Sequence, residues 1–143
     1  MKQANKSLRV IIDTNVWISF FIGKLLNNLQ CYIANERVRI ITCEEQVVEL
    51  KSVLSRPKII KYISQPKTDE FISLLDEKAE LVEIKTGINI CRDPKDNFLL
   101  SLAVDSSADF LVSGDMDLLS IKQIGTTQII NFKDFQHIFN AKY

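Results

Sequence analysis

Two short apolar runs constrain the fold of this chain more than any other feature. Leu8–Ile12 and Phe110–Val112 are rich in β-branched and large apolar residues, with little polar alternation. Such runs are typical of strands that are buried on both faces, as in parallel sheets. Each run ends in polar residues, with Asp13 after the first and Ser113 and Asp115 after the second. Because ligands of open parallel sheets bind beyond the carboxyl ends of the strands, we predict that Asp13 and Asp115 share one site.

Predicted strands and helices alternate along the chain. The spacing of apolar residues predicts strands at 8–12, 38–41, 81–84, 110–112 and 128–130, and helices at 16–35, 43–55, 59–63, 67–79, 94–105 and 132–139. Gly23 is a candidate break in the first helix, and Thr42 is a candidate N-cap of the second, with Glu45 three residues later. We therefore predict an α/β fold, a single doubly wound domain over residues 1–143 with a mainly parallel central sheet of about five strands flanked by helices.

The balance of charges limits the classes of partner. Among 143 residues, 18 Lys and Arg offset 18 Asp and Glu, so the formal net charge is zero. This balance argues against a broad basic surface for nucleic acid but leaves local basic patches open. Five cations near the second and third predicted helices are candidate phosphate contacts, or else parts of an ordinary solvated face: Lys51, Arg56, Lys58, Lys61 and Lys67.

The sequence gives little support for a membrane-spanning helix, a disulfide framework or a histidine-based site. No apolar stretch reaches the roughly 18 to 20 residues of a spanning helix, so we expect a soluble, cytoplasmic protein without a membrane partner. Cys31, Cys43 and Cys91 are odd in number and widely spaced, which predicts neither a disulfide framework nor a CxxC metal site. His137 is the only histidine, which argues against His-based zinc sites and nucleophile-histidine-acid triads.

The helix that begins near Pro94 has two explanations for its acids. Asp93 falls at the predicted N-cap, Pro94 at N1 and Asp96 at N3, where acids favour the helix dipole. Both acids could therefore be structural. Yet Asp96 lies three, four and seven residues before Leu99, Leu100 and Ala103, and so shares the face that must pack against the sheet. Because an inward carboxylate needs compensation, Asp96 is a candidate site residue, and Asp93 is a weaker one.

Several other polar residues also keep two interpretations. Glu49 lies at the edge of the apolar stripe of its helix, and it is either a site residue or part of an exposed face. Asp117 is either an outer metal ligand or the cap of the following turn. Thr14, Asn15 and Ser113 stand beside the strand-end acids, where each could orient a carboxylate or hold a phosphate oxygen. Equally, Thr14 or Asn15 could cap the next helix.

Four segments together are similar to the PIN domain, and the resemblance covers about residues 8–138. Any one segment is a weak signal, but all four occur in order at PIN-like spacing. They are Asp13-Thr14-Asn15 after an apolar strand, Glu49 in the second helical region, Arg92-Asp93-Pro94-Lys95-Asp96-Asn97 at a helix start, and Leu111-Val112-Ser113-Gly114-Asp115-Met116-Asp117-Leu118-Leu119. More narrowly, they resemble PIN-family proteins described as toxins of bacterial or archaeal toxin-antitoxin systems. No motif position is visibly lost, which argues against an inactive remnant.

The resemblance implies a metal-dependent endoribonuclease with four clustered catalytic carboxylates, namely Asp13, Glu49, Asp96 and Asp115. Asn15 and Ser113 would belong to the polar shell of this cluster, and Asp117 would add a further acid. The resemblance also implies a homodimer. If the protein is a toxin, it implies a small antitoxin protein that covers or enters the acidic site.

The proposed chemistry suits these residue types. Hydrolysis of a phosphodiester needs an aligned hydroxide and positive charge on the phosphoryl oxygens, which one or two Mg²⁺ or Mn²⁺ ions supply. Hard cations take oxygen ligands, so a pocket of carboxylates with nothing basic among them suits such ions. Under this hypothesis Asp13 and Asp115 hold the principal ion, and Asp96 helps to hold it or a second one. Glu49 positions the attacking water, and the expected substrate is single-stranded RNA, whose backbone is more accessible than that of a duplex.

The sequence leaves two other classes of function open. A phosphatase of the haloacid-dehalogenase type also uses a strand-end Asp, but it has a second Asp two residues later in a DxD pattern. In this chain that second position is Asn15. The non-enzymatic alternative is a PIN-like binding or scaffold module whose surface matters more than its metal. The intact acids argue against that module, and a fold class alone does not select between these functions.

Overall fold

The computed structural model describes residues 7–23 and 31–142, which contain a six-stranded sheet. Its strands are β1 (Leu8–Ile12), β2 (Val38–Thr42), β3 (Glu80–Leu81), β4 (Phe110–Val112), β5 (Gln123–Ile124) and β6 (Thr127–Ile130). They lie in the order β3-β2-β1-β4-β6-β5, and every neighbouring pair is parallel except β5 with β6. The predicted α/β fold with a mainly parallel sheet is thereby confirmed, with one strand more than expected.

The labelled helices alternate with these strands. They are α1 (Thr14–Ile22), α2 (Glu44–Leu54), α3 (Pro57–Ile60), α4 (Gln65–Lys78), α5 (Pro94–Ser106), α6 (Met116–Ile121) and α7 (Phe132–Lys142). Residues 31–34 are also helical. Within the described ranges, no helix has both the length and the apolar character needed to cross a membrane.

The sheet separates two apolar cores, because successive side chains of a strand point to opposite faces. Val10 and Ile12 of β1 pack into the core that also holds Trp17 and Phe71, whereas Ile11 packs into the core that holds Leu100. This two-sided burial explains why the strand reads as a continuous apolar run. The rings of Trp17 in α1 and Phe71 in α4 meet edge to face, with centroids 5.2 Å apart. Such pairs add about 0.5 to 1.5 kcal/mol beyond their burial. This pair holds α1 against α4.

The pairing of β1 with β4 brings the two polar strand ends together. Ile12 is in register with Val112, and the Asp13 backbone N–H donates to the Val112 carbonyl at 2.9 Å. Asp13 and Ser113 therefore leave the same edge of the sheet as immediate neighbours.

Two predicted helix boundaries need correction. The first helix was expected over 16–35 with Gly23 as a candidate break, and α1 ends at that break, with Ile22 as its last residue and Gly23 as its C-cap. Residues 24–30 of that prediction lie outside the described residues. At the start of α2 the N-cap is Cys43 rather than Thr42, because Thr42 continues β2 and donates its hydroxyl to the Gln46 side-chain oxygen at 2.6 Å.

The predictions also differ from the structure at both edges of the sheet. Strand β3 ends at Leu81, although the chain stays extended and buries Val82 and Ile84 in part against one core. At the other edge, β5 and β6 form an antiparallel hairpin that the spacing of apolar residues did not reveal. Gly125 begins its two-residue turn with a φ of 56°, a conformation that glycine adopts without steric cost.

Candidate functional site

A cleft of about 120 Å³ opens at the carboxyl edge of the sheet. It is lined by side chains from the ends of β1 and β4 and from α1, α2 and α5: Asp13, Thr14, Asn15, Glu49, Asp93, Lys95, Asp96, Phe98, Leu99 and Asp115. The remaining predicted site residues, Ser113 and Asp117, touch this set through hydrogen bonds to Asp13 and Asp115. The fold thus brings the candidate residues from four separated segments to one place.

Asp13 is held in a fixed position at the floor of the cleft. Its side chain is buried, and its two oxygens accept hydrogen bonds from the Ser113 hydroxyl (2.8 Å) and the Asn15 backbone N–H (3.0 Å). Burial raises the pKa of Asp13, and the neighbouring carboxylates of Asp115 and Glu49 raise it further, while the two hydrogen bonds lower it. The Asn15 bond makes Asp13 itself the N-cap of α1, so the alternative in which Thr14 or Asn15 caps this helix does not hold.

The two acids at the start of α5 lie at the helix cap and in the cleft. Asp93 is the N-cap and accepts a hydrogen bond from the Lys95 backbone N–H at 3.0 Å, and it also lines the cleft. Asp96 lies one turn into the helix and is only 7% exposed, as its inward spacing suggested. Burial, and after it the negative charges of Asp115, Asp93, Asp13 and Asp117, together raise the pKa of Asp96 to about 6. Asp96 is therefore a buried carboxylate whose nearest charged neighbours are other acids.

The turn after β4 supplies two further carboxylates. Asp115 is the N-cap of α6 and accepts hydrogen bonds from the backbone N–H groups of Asp117 (2.7 Å) and Leu118 (3.3 Å). The predicted capping role of Asp117 thus belongs to Asp115. Asp117 instead pairs with Arg92, whose guanidinium nitrogen lies 3.0 Å from the carboxylate. Asp96, Asp115 and Asp117 each offer a carboxylate oxygen within 4.8 Å of the others.

Glu49 faces the cleft from α2 and is not part of an exposed face. Its side chain is 18% exposed, and its two oxygens meet the Thr14 hydroxyl at 2.8 Å and the Lys95 ammonium at 2.9 Å. The ion pair raises the pKa of Lys95. The expectation that nothing basic stands among the acids was therefore wrong, because Lys95 reaches back from α5 across the cleft.

Two supporting residues, Gln46 and Asn97, were given no role from the sequence, although Asn97 stands in one of the four PIN-like segments. Gln46 is fully buried, donates to the Ile12 carbonyl at 2.7 Å and accepts from Thr42, so it ties α2 to the ends of β1 and β2. The sequence feature that could have identified Gln46 is the presence of a polar residue on the buried stripe of α2, four residues before Leu50. Asn97 accepts from the backbone N–H groups of Ile90 and Cys91 and so shapes the chain that enters α5.

The donor set suits a hard divalent cation. Every candidate ligand is a carboxylate oxygen, which Mg²⁺ and Mn²⁺ accept readily. The arrangement differs in one respect from the expectation that Asp13 and Asp115 hold the principal ion. The closest group is Asp96, Asp115 and Asp117, with Asp13 in the same cleft and both its oxygens hydrogen-bonded. Burial and mutual repulsion raise the pKa values of Asp13 and Asp96, and a bound cation would relieve this repulsion and stabilise the charged carboxylates.

Comparison with known proteins gives consistent results. A family model described as PIN domain matches residues 9–117. The uncharacterized protein MJ1680 of Methanocaldococcus jannaschii is 28% identical over 128 residues, which cover 85% of this chain and 79% of the relative. The crystal structure of PAE2754 from Pyrobaculum aerophilum has a TM-score of 0.61, with 98% of this chain and 94% of that chain covered at 14% identity. At this identity the structural likeness shows a shared fold.

Proposed function

Because the chain belongs to the PIN domain family, we propose that it is a metal-dependent endoribonuclease that cleaves single-stranded RNA. The PIN domain is a nuclease-type fold, and the match spans the acidic site from before Asp13 to Asp117. The observation that carries the proposal is the meeting of three carboxylates within 4.8 Å beside the buried Asp13. Crowded carboxylates repel one another, so their arrangement is explained if a cation binds among them.

In this proposal Asp96, Asp115 and Asp117 hold one Mg²⁺ or Mn²⁺ ion, and Asp13 contributes from the floor of the cleft. When bound, the ion supplies a water of lowered pKa and positive charge for the phosphoryl oxygens. Ser113 keeps the acids in place, because its hydroxyl donates to Asp13 and accepts from the Asp115 backbone N–H at 3.0 Å. This fixed arrangement limits the reorganisation that the site would need during reaction.

Glu49 is suited to orient the attacking water. The Thr14 hydroxyl fixes Oε1, and Oε2 faces the cleft where Lys95 meets it. Once it is free of Lys95, Oε2 is an acceptor for the hydrogen of a water in the cleft.

A single strand is the substrate form that we propose, for a geometric reason. The acidic cleft is small, and its deepest carboxylates are buried at the sheet edge. A flexible backbone can bring one phosphate down to such a floor, whereas a duplex holds its phosphates on a wide, stiff surface.

The biological setting that we propose is a cytoplasmic toxin that acts as a homodimer and is restrained by a small antitoxin protein. Expression of the chain in a bacterial host should then arrest growth, and Asp96→Asn should abolish the arrest. Growth that continues with the parent protein at equal abundance would argue against a toxin role without touching the nuclease assignment.

The main alternative is a PIN-like binding or scaffold module without catalysis. Retention of all the acidic motif positions favours the enzyme over this module. A phosphatase of the haloacid-dehalogenase type has lost its main support, since the chain belongs to the PIN domain family.

The proposal is tested by incubating labelled mixed-sequence single-stranded RNA with the protein in Mg²⁺, Mn²⁺ or EDTA. We expect cleavage with either metal, none in EDTA, and a loss of at least about 100-fold in Asp13→Asn and Asp96→Asn. Asp76→Asn, an exposed acid on α4, is the matched control and should cleave like the parent.

The outcomes separate the candidate functions. Cleavage by the parent in EDTA would overturn the metal requirement. Absence of cleavage together with Mn²⁺ binding that requires Asp13 and Asp96 would retain the metal site and reject the broad RNA specificity. Absence of both would favour the binding module.

A further inference from the structure

The two outer acids of the site are each paired with a cation from one short segment. Arg92 Nη2 lies 3.0 Å from Asp117 Oδ2 and 3.2 Å from its Oδ1. Lys95 Nζ lies 2.9 Å from Glu49 Oε2. The segment 92–95 therefore places one positive charge on each of these two acids.

The inner acids have a different electrostatic environment. Among the residues that the structure describes, no ion pair joins Asp13, Asp96 or Asp115 to a lysine or arginine. Five of the residues that line the cleft are acidic, and Lys95 is the cation among them. An RNA phosphate that approaches this cleft would meet strong repulsion unless positive charge accompanied it.

Both ion pairs are weak enough to exchange partners. The Arg92 side chain is 88% exposed and that of Lys95 is 65% exposed, so water competes for both. Ion pairs with a cation this exposed to water contribute little stability, and a phosphate offers the same type of charged oxygen acceptor as a carboxylate. Glu49 is 18% exposed, and it keeps the hydrogen bond from the Thr14 hydroxyl when Lys95 leaves. Exchange of a carboxylate for a phosphate would therefore have a small net cost.

We propose that Lys95 and Arg92 are the phosphate contacts that guide single-stranded RNA to the acidic cluster, and that they do so by leaving Glu49 and Asp117. This rests on the proposed nuclease function and adds the means by which a neutral protein with an acidic cleft admits a polyanion. Departure of Lys95 frees Glu49 Oε2 for a water, and departure of Arg92 frees Asp117 for a cation. Substrate binding and completion of the site are thereby coupled.

The coupling predicts opposite effects of one substitution on two ligands. Lys95→Met keeps the length of the side chain and removes its charge, so RNA binding should weaken while Mn²⁺ binding should tighten. A purely structural role for Lys95 would weaken both. Arg92→Met should behave in the same way, and Lys95→Arg should retain RNA binding.

The experiment measures two affinities for the parent and each variant. Fluorescence anisotropy gives the affinity for a labelled single-stranded RNA in Ca²⁺, a hard cation with the same ligand preference, over a series of salt concentrations, with the intactness of the RNA checked on a gel. Calorimetry gives the affinity for Mn²⁺ without RNA. Lys78→Met is the matched control, because exposed Lys78 ends α4 just before β3 begins, at the opposite edge of the sheet.

We expect Lys95→Met and Arg92→Met each to weaken RNA binding about 3- to 10-fold and to flatten the salt dependence by about 0.7 per lost contact. Mn²⁺ should bind about 3-fold more tightly to Lys95→Met, because a neighbouring positive charge is gone. RNA affinity and salt dependence equal to those of Lys78→Met would overturn the inference while the nuclease proposal stands. A parent that binds Mn²⁺ but no RNA would overturn both the inference and the RNA specificity.

Discussion

At the scale of single residues, Ser113 connects the two strand-end acids. Its hydroxyl donates to Asp13 Oδ2 and accepts from the Asp115 backbone N–H, and the side chain is almost fully buried. The bond stabilises the charged form of Asp13 against the cost of its burial. Ser113 therefore acts on the site without lining the cleft.

Ser113→Ala should weaken Mn²⁺ binding about 10- to 100-fold, the range found when a hydrogen-bond partner of a metal ligand is lost. The reason is that Asp13 loses a donor and so holds its negative charge less well. Calorimetric titration with Mn²⁺ measures the effect, with Ser55→Ala at the exposed end of α2 as the control. Equal affinities in the two variants would mean that Ser113 only fills space.

At the scale of elements, α5 organises the extended chain that leads to it. Three polar side chains on one face of the helix, spaced four residues apart, bind backbone N–H groups of that chain: Asn97, Ser101 and Asp105. Beyond β3 these bonds replace the sheet ladder, because every buried N–H needs an acceptor. The spacing is visible in the sequence, yet its role follows only from the neighbouring chain.

Asp105→Asn should lower stability at pH 7 by about 1 kcal/mol, because the charged acceptor of the Lys85 and Thr86 N–H groups is lost. The Thr86 hydroxyl and N–H lower the pKa of Asp105 from its ordinary 3.8. A lowered pKa in the folded state gives stability that is complete above the unfolded pKa and is lost as the pH falls through the folded one.

Urea unfolding at several pH values measures this dependence. The difference between parent and Asp105→Asn should be full above about pH 5 and should shrink as the pH falls below 3.8. A difference that stays constant down to pH 3 would show that the carboxylate charge is not the cause.

At the scale of the whole molecule, the strand order decides where the acids meet. Strands β1 and β4 are about 100 residues apart in sequence but adjacent in the sheet, so the acids that follow them share an edge. Helices α2 and α5, packed against opposite faces, bring Glu49 and Asp96 to that edge. The free energy of unfolding should therefore depend on whether the negative charges of the shared site are neutralised.

Saturating Mn²⁺ should stabilise the parent by about 2.7 kcal/mol at a concentration of 100 times the dissociation constant. In EDTA, Asp96→Asn should be more stable than the parent by about 1 to 2 kcal/mol, because a buried carboxylate among other negative charges is replaced by a neutral amide. In Mn²⁺ the order should reverse.

Thermal unfolding in EDTA and in Mn²⁺ tests both expectations, with Asp76→Asn as the control that should follow the parent in each. An Asp96→Asn variant that melts below the parent in both conditions would show that Asp96 is a structural acid. Its role would then be limited to the first turn of α5.

Local patterns in the sequence were sufficient for the fold class and for the inward direction of Asp96. Apolar runs, helix spacing and capping residues depend on neighbours within a few positions, and those neighbours are printed in the chain. The resemblance to the PIN domain likewise rested on four short segments, and the family match agrees with it.

Only the tertiary structure decided which side chains of the site contact one another. The pairing of Lys95 with Glu49, the bond from Ser113 to Asp13 and the burial of Gln46 each join segments 32 or more residues apart. Nothing local distinguishes Lys95 from an ordinary solvated lysine, since its partner is set by how α2 and α5 pack. The sequence by itself thus determined the elements and the candidate acids, whereas the charge balance of the site arose from packing, because electrostatic energy depends on distance in space rather than along the chain.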